Sequence, residues 1–128
     1  MIRKIDAELY PVVCKWWDHY GMPHWPIETQ DRGYVAFLGE KPICTCFAFV
    51  SDNKFYAYLI MSVMNPESRT EERNQVFKEM IDKLCEDLKS EGVTFMIAPA
   101  NNPSLIKRYA DCGFSIADLD VVHSIKSL

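Results

Sequence analysis

What the sequence lacks narrows it first. Its 14 Lys and Arg form no run or stripe, and 18 Asp and Glu leave a formal charge of −4. A surface of that sign repels phosphate backbones and anionic lipid, so neither nucleic acid nor a membrane is expected as a partner. No apolar stretch has the length of a bilayer-spanning helix, and the N-terminus lacks the apolar core of a secretory signal. The expected compartment is the cytoplasm. The five cysteines, Cys14, Cys44, Cys46, Cys85 and Cys112, make no C-x-x-C spacing and are odd in number, so buried free thiols are expected rather than zinc or disulfides. No His/Asp cluster has metal spacing, and no Ser-His-Asp or Cys-His nucleophile is evident. Repeats, linkers and low-complexity segments are absent too.

What is present reads as one unit. At 128 residues, 48% hydrophobic and 25% charged, the chain has the size and composition of a single domain, 1–128, with its own core. Met1 to Ile5 reads as a short strand. From Glu8 on, Leu9, Val12, Val13, Trp16, Trp17 and Tyr20 recur at helical spacing; Pro11 is tolerable only near the first turn, and Gly21 ends the helix. Residues 22–31, with Pro23 and Pro26 and no periodicity, are a loop. Strands Gly33–Leu38, Ile43–Val50 and Lys54–Met64 follow, joined by turns short enough to imply an antiparallel meander. The third is apolar from Phe55 to Met61 without alternation, as in a strand covered on both faces.

A long helix ending near Ser90 carries Phe77, Met80, Ile81, Leu84 and Leu88 on one stripe and closes at Glu91-Gly92. Strand Val93–Ala98 and a short helix come next. The final apolar run, Phe114 to Ile125, is expected to bend at Asp118-Leu119-Asp120 into two strands. A helix between two strands implies a right-handed parallel crossover. The fold class is therefore α/β, a mixed, mostly antiparallel sheet flanked by helices.

Ala100 to Phe114 is the most explicit stretch. Asn102 is a good N-cap, Pro103 sits at the first helical position, and Gly113 falls where the chain leaves through a left-handed residue. Leu105, Ile106 and Tyr109 share one face; Lys107, Arg108 and Asp111 take the other. An Asn, a Tyr seven residues later and a Gly-Phe pair four and five residues after the Tyr resembles the C-terminal signature of the GNAT (GCN5-related N-acetyltransferase) superfamily. Asn102, Tyr109, Gly113 and Phe114 match it without a gap. The element order resembles the GNAT fold over nearly the whole chain, the motif only in its last third. In style, the compact chain is also similar to acetyltransferase-like proteins of tailed bacteriophages. The resemblance implies a Tyr109 hydroxyl near the sulfur of acetyl-coenzyme A, able to protonate the departing thiolate. The residues alone equally allow Tyr109 to be the aromatic of a buried helix face.

The crossing from the third strand into the long helix departs from the family. Pro66 and Arg69 hold their places, but Thr70, Glu72 and Asn74 stand where the family has glycine, which lets backbone approach phosphate closely. Two helix starts are open. Ser68-x-x-Glu71 is a capping-box pattern, and a helix starting there would use its own N-terminal amides. If Asn74 caps instead, residues 69–73 form a loop with free amides, Arg69 and Arg73 supply positive charge, and Glu71 and Glu72 turn outward. The second register agrees with the resemblance and is the one expected. Ser62, Met64, Arg69, Thr70, Arg73, Asn74, Asn102 and Tyr109 are then the residues implied to hold acetyl-CoA, with backbone N–H groups near Ser62 to Met64 facing the oxyanion. The third meander strand and the Val93 strand should splay near Met64 and Ala98, leaving a cleft that Tyr109 faces.

Acetylating an amine needs a base, an oxyanion donor and an acid for the thiolate. Tyr109 is the acid candidate. His24 and Glu28, in the loop that lines the acceptor pocket in the family, are the base candidates, with Trp25 as a wall; His123 reads as structural. The expected function is an acyl-CoA-dependent N-acyltransferase moving acetyl from acetyl-CoA to an unidentified amine acceptor by direct transfer. The alternative is a GNAT-fold protein that has lost CoA binding and serves as a non-catalytic protein-interaction or virion-associated module, with a homodimer, virion or host protein as partner.

Overall fold

The computed structural model describes residues 1–27, 32–100, 102–119, 121–122, 124 and 126–128. Strand β1 is Ile2–Lys4, helix α1 Tyr10–His19, β2 Gly33–Leu38, β3 Lys41–Val50, β4 Tyr56–Met64, α2 Thr70–Ser90, β5 Phe95–Ile97 and α3 Pro103–Asp111. The strands form one sheet in chain order. Short turns make β2 to β4 an antiparallel meander, β1 pairs antiparallel with β2 across the α1 excursion, and the α2 crossover makes β4–β5 the parallel pair. Local signals set the helix ends. Pro11 lies in the first turn of α1, where its missing N–H costs nothing. Beyond the helix Gly21 takes φ +67°, and Met22 N–H reaches back to the Trp17 carbonyl at 2.8 Å.

Both faces of the sheet are covered, which is why β2 and β3 bury successive residues instead of alternating with polar ones. On one face α1 packs Val13, Trp16 and Trp17 against Val35, Phe37, Phe47 and Val63. On the other, α2 packs Phe77, Met80, Ile81, Leu84 and Leu88 against Tyr34, Ala36, Ile43 and Leu59, and Tyr109 of α3 joins them. Cys44 and Cys46, two apart on β3, are fully buried on this second face, and all five cysteines are free thiols.

Two expectations are corrected. β4 is not covered throughout: Ala57, Leu59 and Val63 are buried, but its other residues are half-buried or exposed. Its partner β5 spans only three residues, so the later part of β4 is flanked on one side alone. Nor is there a strand after α3 among the described residues. Phe114 packs back against Tyr109 at 5.2 Å between ring centroids, but Ile116, Leu119, Val121 and Val122 are exposed. Apolar composition supplies a strand's side chains and not its backbone partner, and the described residues from 115 onward pair with no strand.

Candidate functional site

The site grows out of an irregularity in β4. Thr45 pairs with Val63 and Phe47 with Ile60, so Met61 and Ser62 together oppose Cys46. This bulge inserts one residue and re-aims the strand. Met61 accommodates it with φ +55°, a left-handed conformation unusual for a long side chain. From the opposite face Trp17 Nε1 donates to the Met61 carbonyl at 3.3 Å, tying α1 to the bulge. On the β5 side, pairing runs from Tyr56–Phe95 to Tyr58–Ile97 and stops there. The two strands thus part earlier than the sequence suggests, and β4 continues to Met64 with no β5 partner. An extended amide-bearing ligand can pair with such an edge as an added strand.

Tyr109 stands behind that edge. Asn102 caps α3, its side chain accepting from Ser104 N–H at 2.8 Å and Leu105 N–H at 3.4 Å, and Gly113 takes φ +92° at the exit. These ends fix the turn on which Tyr109 points inward, 5% exposed, with ring centroids 5.7 Å from Phe77 and 5.2 Å from Phe114. Burial pushes its phenol up to about 12, with the neighbouring Ser62 hydroxyl pulling the other way. The phenol therefore stays protonated at neutral pH, as a proton donor must. Ser62 Oγ lies beside the phenol and is buried, and among the described residues it has no hydrogen-bond partner of regular geometry.

The start of α2 matches neither expected register. The helix begins at Thr70, with Arg69 extended at the N-cap. Glu72 governs this: its Oε1 accepts from Arg69 N–H at 2.9 Å and from Lys41 Nζ at 3.0 Å. The carboxylate is thus turned inward, 7% exposed, and held down at about 2, first by the Arg69 N–H and then by Lys41. Residues 70–73 are helix and not loop, and Glu72 does not face outward; Glu71 does. The Ser68–Glu71 box is not made either, because Ser68 Oγ donates to the Asn65 carbonyl at 2.6 Å and accepts from Arg73 Nε at 2.8 Å. Arg69 has no acceptor atom to return the bond, so among the described residues no side chain caps the N–H groups of Thr70, Glu71 and Glu72. Glu72 takes one amide of the helix end and leaves the others.

The expected phosphate ligands are placed unevenly. Arg69 is 77% exposed by side chain and touches Glu72 Oε1 at 3.5 Å; Thr70 is exposed. Arg73 is engaged by the loop, through Ser68 and through the Asn65 carbonyl at 3.1 Å. Asn74 Oδ1 accepts from Arg108 Nε at 3.1 Å, bringing a cation that sequence reasoning missed to the head of α2. Burial, and then the charge of Arg73, lower the Arg108 pKa. Among the described residues neither Arg73 nor Arg108 has a carboxylate partner. The signal available was its place one residue before Tyr109, which puts it near the buried face. Met64 pairs with Cys44 and packs against the α2 core.

His24 lies on the other side of the sheet. Its Nε2 meets Asp18 Oδ1 at 2.6 Å and its ring centroid is 6.1 Å from Trp17, the residue bonded to the bulge. The Trp25 carbonyl accepts from Tyr10 Oη. Glu28 and His123 fall outside the described residues.

An open strand edge, a buried hydroxyl and helix amides without a side-chain cap are thus gathered around β4 and the head of α2. Comparison with solved structures agrees on the fold. The chain is similar to an aminoglycoside acetyltransferase from an uncultured soil metagenomic sample, in complex with sisomicin (14% identity, 100% of this chain and 95% of that one, TM-score 0.69). It is similar to the ribosomal-protein-S18-alanine N-acetyltransferase from Escherichia coli (17% identity, 92% and 79%, TM-score 0.67). It is also similar to Rv2747 from Mycobacterium tuberculosis in complex with CoA (13% identity, 95% and 76%, TM-score 0.74). At such identities the likeness is one of fold: the chain has the GNAT acetyltransferase fold. No family profile and no curated protein matches the sequence.

Proposed function

We propose that the protein is an acyl-CoA-dependent N-acyltransferase that moves acetyl from acetyl-CoA directly to an amine. The observation that carries this is the end of β4–β5 pairing at Tyr58–Ile97, beside a left-handed bulge at Met61 and in front of the protonated Tyr109. In this reading the backbone from Leu59 to Met64 pairs with the amide-rich arm of the substrate. The uncapped amides of α2, with Arg69 and Arg108, take its phosphates. Backbone N–H at the bulge faces the developing oxyanion, and Tyr109 gives its proton to the departing sulfur. The amine enters from the α1 side, where His24 is a base candidate; Glu28, the other candidate, lies outside the described residues. Asn102 serves through its cap on α3, which sets Tyr109.

Calorimetric titration with acetyl-CoA and with CoA tests it. Weak, saturable binding is expected, weak because Glu72 holds one amide and the glycines are replaced. Arg69→Ala with Arg108→Ala should remove most of the affinity; Arg73→Ala is a poorer probe because Arg73 also holds the loop. No heat at millimolar acetyl-CoA refutes the proposal. Acceptors are then sought by thiol release with sisomicin and an alanine-terminated peptide as first probes, chosen from the proteins of like fold. One observation favours the second reading, a binding module of the interaction or virion-associated kind: Glu72 occupies the Arg69 amide that a phosphate would use. That module would give no heat with CoA at all.

A further inference from the structure

Among the described residues, the buried Thr45 and Ser68 satisfy their hydroxyls from within. Thr45 Oγ1 donates to the Tyr34 carbonyl at 2.7 Å, and Ser68 Oγ to the Asn65 carbonyl at 2.6 Å. Ser62 Oγ is the exception, the one buried side-chain polar atom without a partner among the described residues. Leaving a hydroxyl desolvated and unpaired costs stability, so such a group calls for an explanation. This one follows the left-handed Met61 on the bulge, at the part of β4 that β5 does not cover, and it lies beside the Tyr109 phenol.

A phenol has one proton to give. If Tyr109 spends it on a neighbouring protein acceptor, none is left for the substrate. A second hydroxyl that donates to the phenolic oxygen removes that conflict. Carbonyl partners of the kind that Thr45 and Ser68 find would consume the Ser62 proton; here none does so.

We propose that Ser62 is a positioning residue for Tyr109: its O–H donates to the phenolic oxygen when a thioester fills the cleft, aiming the Tyr109 proton at the sulfur. This rests on the acyltransferase reading above. In the transfer the amine nitrogen bonds to the acetyl carbon and gives up a proton to base or solvent. The C–S bond breaks with its electron pair on sulfur, the Tyr109 proton forms the S–H bond, and Ser62 O–H holds the phenolate until solvent returns a proton. Burial alone opposes that phenolate; the Ser62 donor offsets part of the opposition.

The test does not need turnover. The thiol of CoA bound to the protein is titrated by the ultraviolet absorbance of its thiolate, in the parent protein, Ser62→Ala, Ser62→Thr, Tyr109→Phe and the Ser62→Ala/Tyr109→Phe pair. A proton aimed at sulfur stabilises the thiolate, so Ser62→Ala should weaken the bound thiol's acidity about tenfold, the worth of one hydrogen bond. Ser62→Thr should restore it, and Ser62→Ala should add nothing once Tyr109 is Phe. Thermal melts report that each variant folds, and saturating CoA keeps the site filled throughout the titration. An unmoved thiol in Ser62→Ala, or an equal shift with and without the Tyr109 hydroxyl, overturns the role of Ser62 alone. A parent protein that binds no CoA overturns the acyltransferase reading and this role with it.

Discussion

Replacing Tyr109 separates a packing role from a chemical one. The ring is 5% exposed and lies 5.7 Å from Phe77 and 5.2 Å from Phe114, centroid to centroid. Tyr109→Ala empties that space, and truncating a buried aromatic costs about 3–5 kcal/mol. Tyr109→Phe keeps the ring and removes only a hydroxyl that makes no regular hydrogen bond, so its cost should stay under about 1 kcal/mol. For a chain of this size each kcal/mol moves Tm by roughly 3–5 °C. The Ala variant should therefore melt well below the parent and the Phe variant close to it. Turnover should order them differently. Losing a general acid costs on the order of 10²-fold in kcat, or about 2.7 kcal/mol of barrier, so Tyr109→Phe should be nearly inactive while it melts and binds acetyl-CoA like the parent. Thermal unfolding, calorimetry and thiol release measure the three quantities on one preparation. A Phe variant with parental turnover refutes the chemical role and returns Tyr109 to the core.

Glu72→Ala should act with opposite signs on stability and binding. It frees the Arg69 amide and removes a negative charge from the head of α2, so acetyl-CoA should bind about tenfold tighter, one charge-assisted hydrogen bond's worth; unchanged or weaker binding argues against phosphate at this helix end. Because the Glu72 carboxyl is held down at about 2 from an ordinary 4.5, its contribution to folding is whole above about pH 4.5 and lost as pH falls through about 2. Acid titration of Tm should show the parent's advantage over Glu72→Ala shrinking in that window, and a constant difference would contradict the assignment. Gly33→Ala tests the α1 face of the sheet. A Cβ there meets the Phe47 ring at 2.6 Å and Ile5 Cδ1 at 3.2 Å, so denaturant unfolding should read a loss of about 1–3 kcal/mol with CoA affinity unchanged.

How far the sequence reaches depends on how near in the chain a signal's partner lies. Asn102, Pro103 and Gly113 delimit α3 because a cap and a left-handed exit are satisfied by neighbours within a few residues. The meander is legible in the same way, from short turns between apolar runs, and the parallel β4–β5 pair follows from a helix between two strands. The start of α2 was not legible. Ser68, Glu71, Glu72 and Asn74 offer several local caps of similar quality, and the choice falls to Lys41, 31 residues away on β3, which draws Glu72 inward. Arg108 reached the head of α2 by the same kind of long-range contact, through Asn74 at a separation of 34 residues. The final apolar run had the composition of strands, but backbone pairing there needs an edge that only the assembled sheet can present or withhold. The sequence by itself determined the elements from β1 to α3 and their order. Tertiary structure decided where β4 parts from β5, which carboxylate turns inward and which hydroxyl is left without a partner, because each of those is settled by groups far apart in the chain competing for one place.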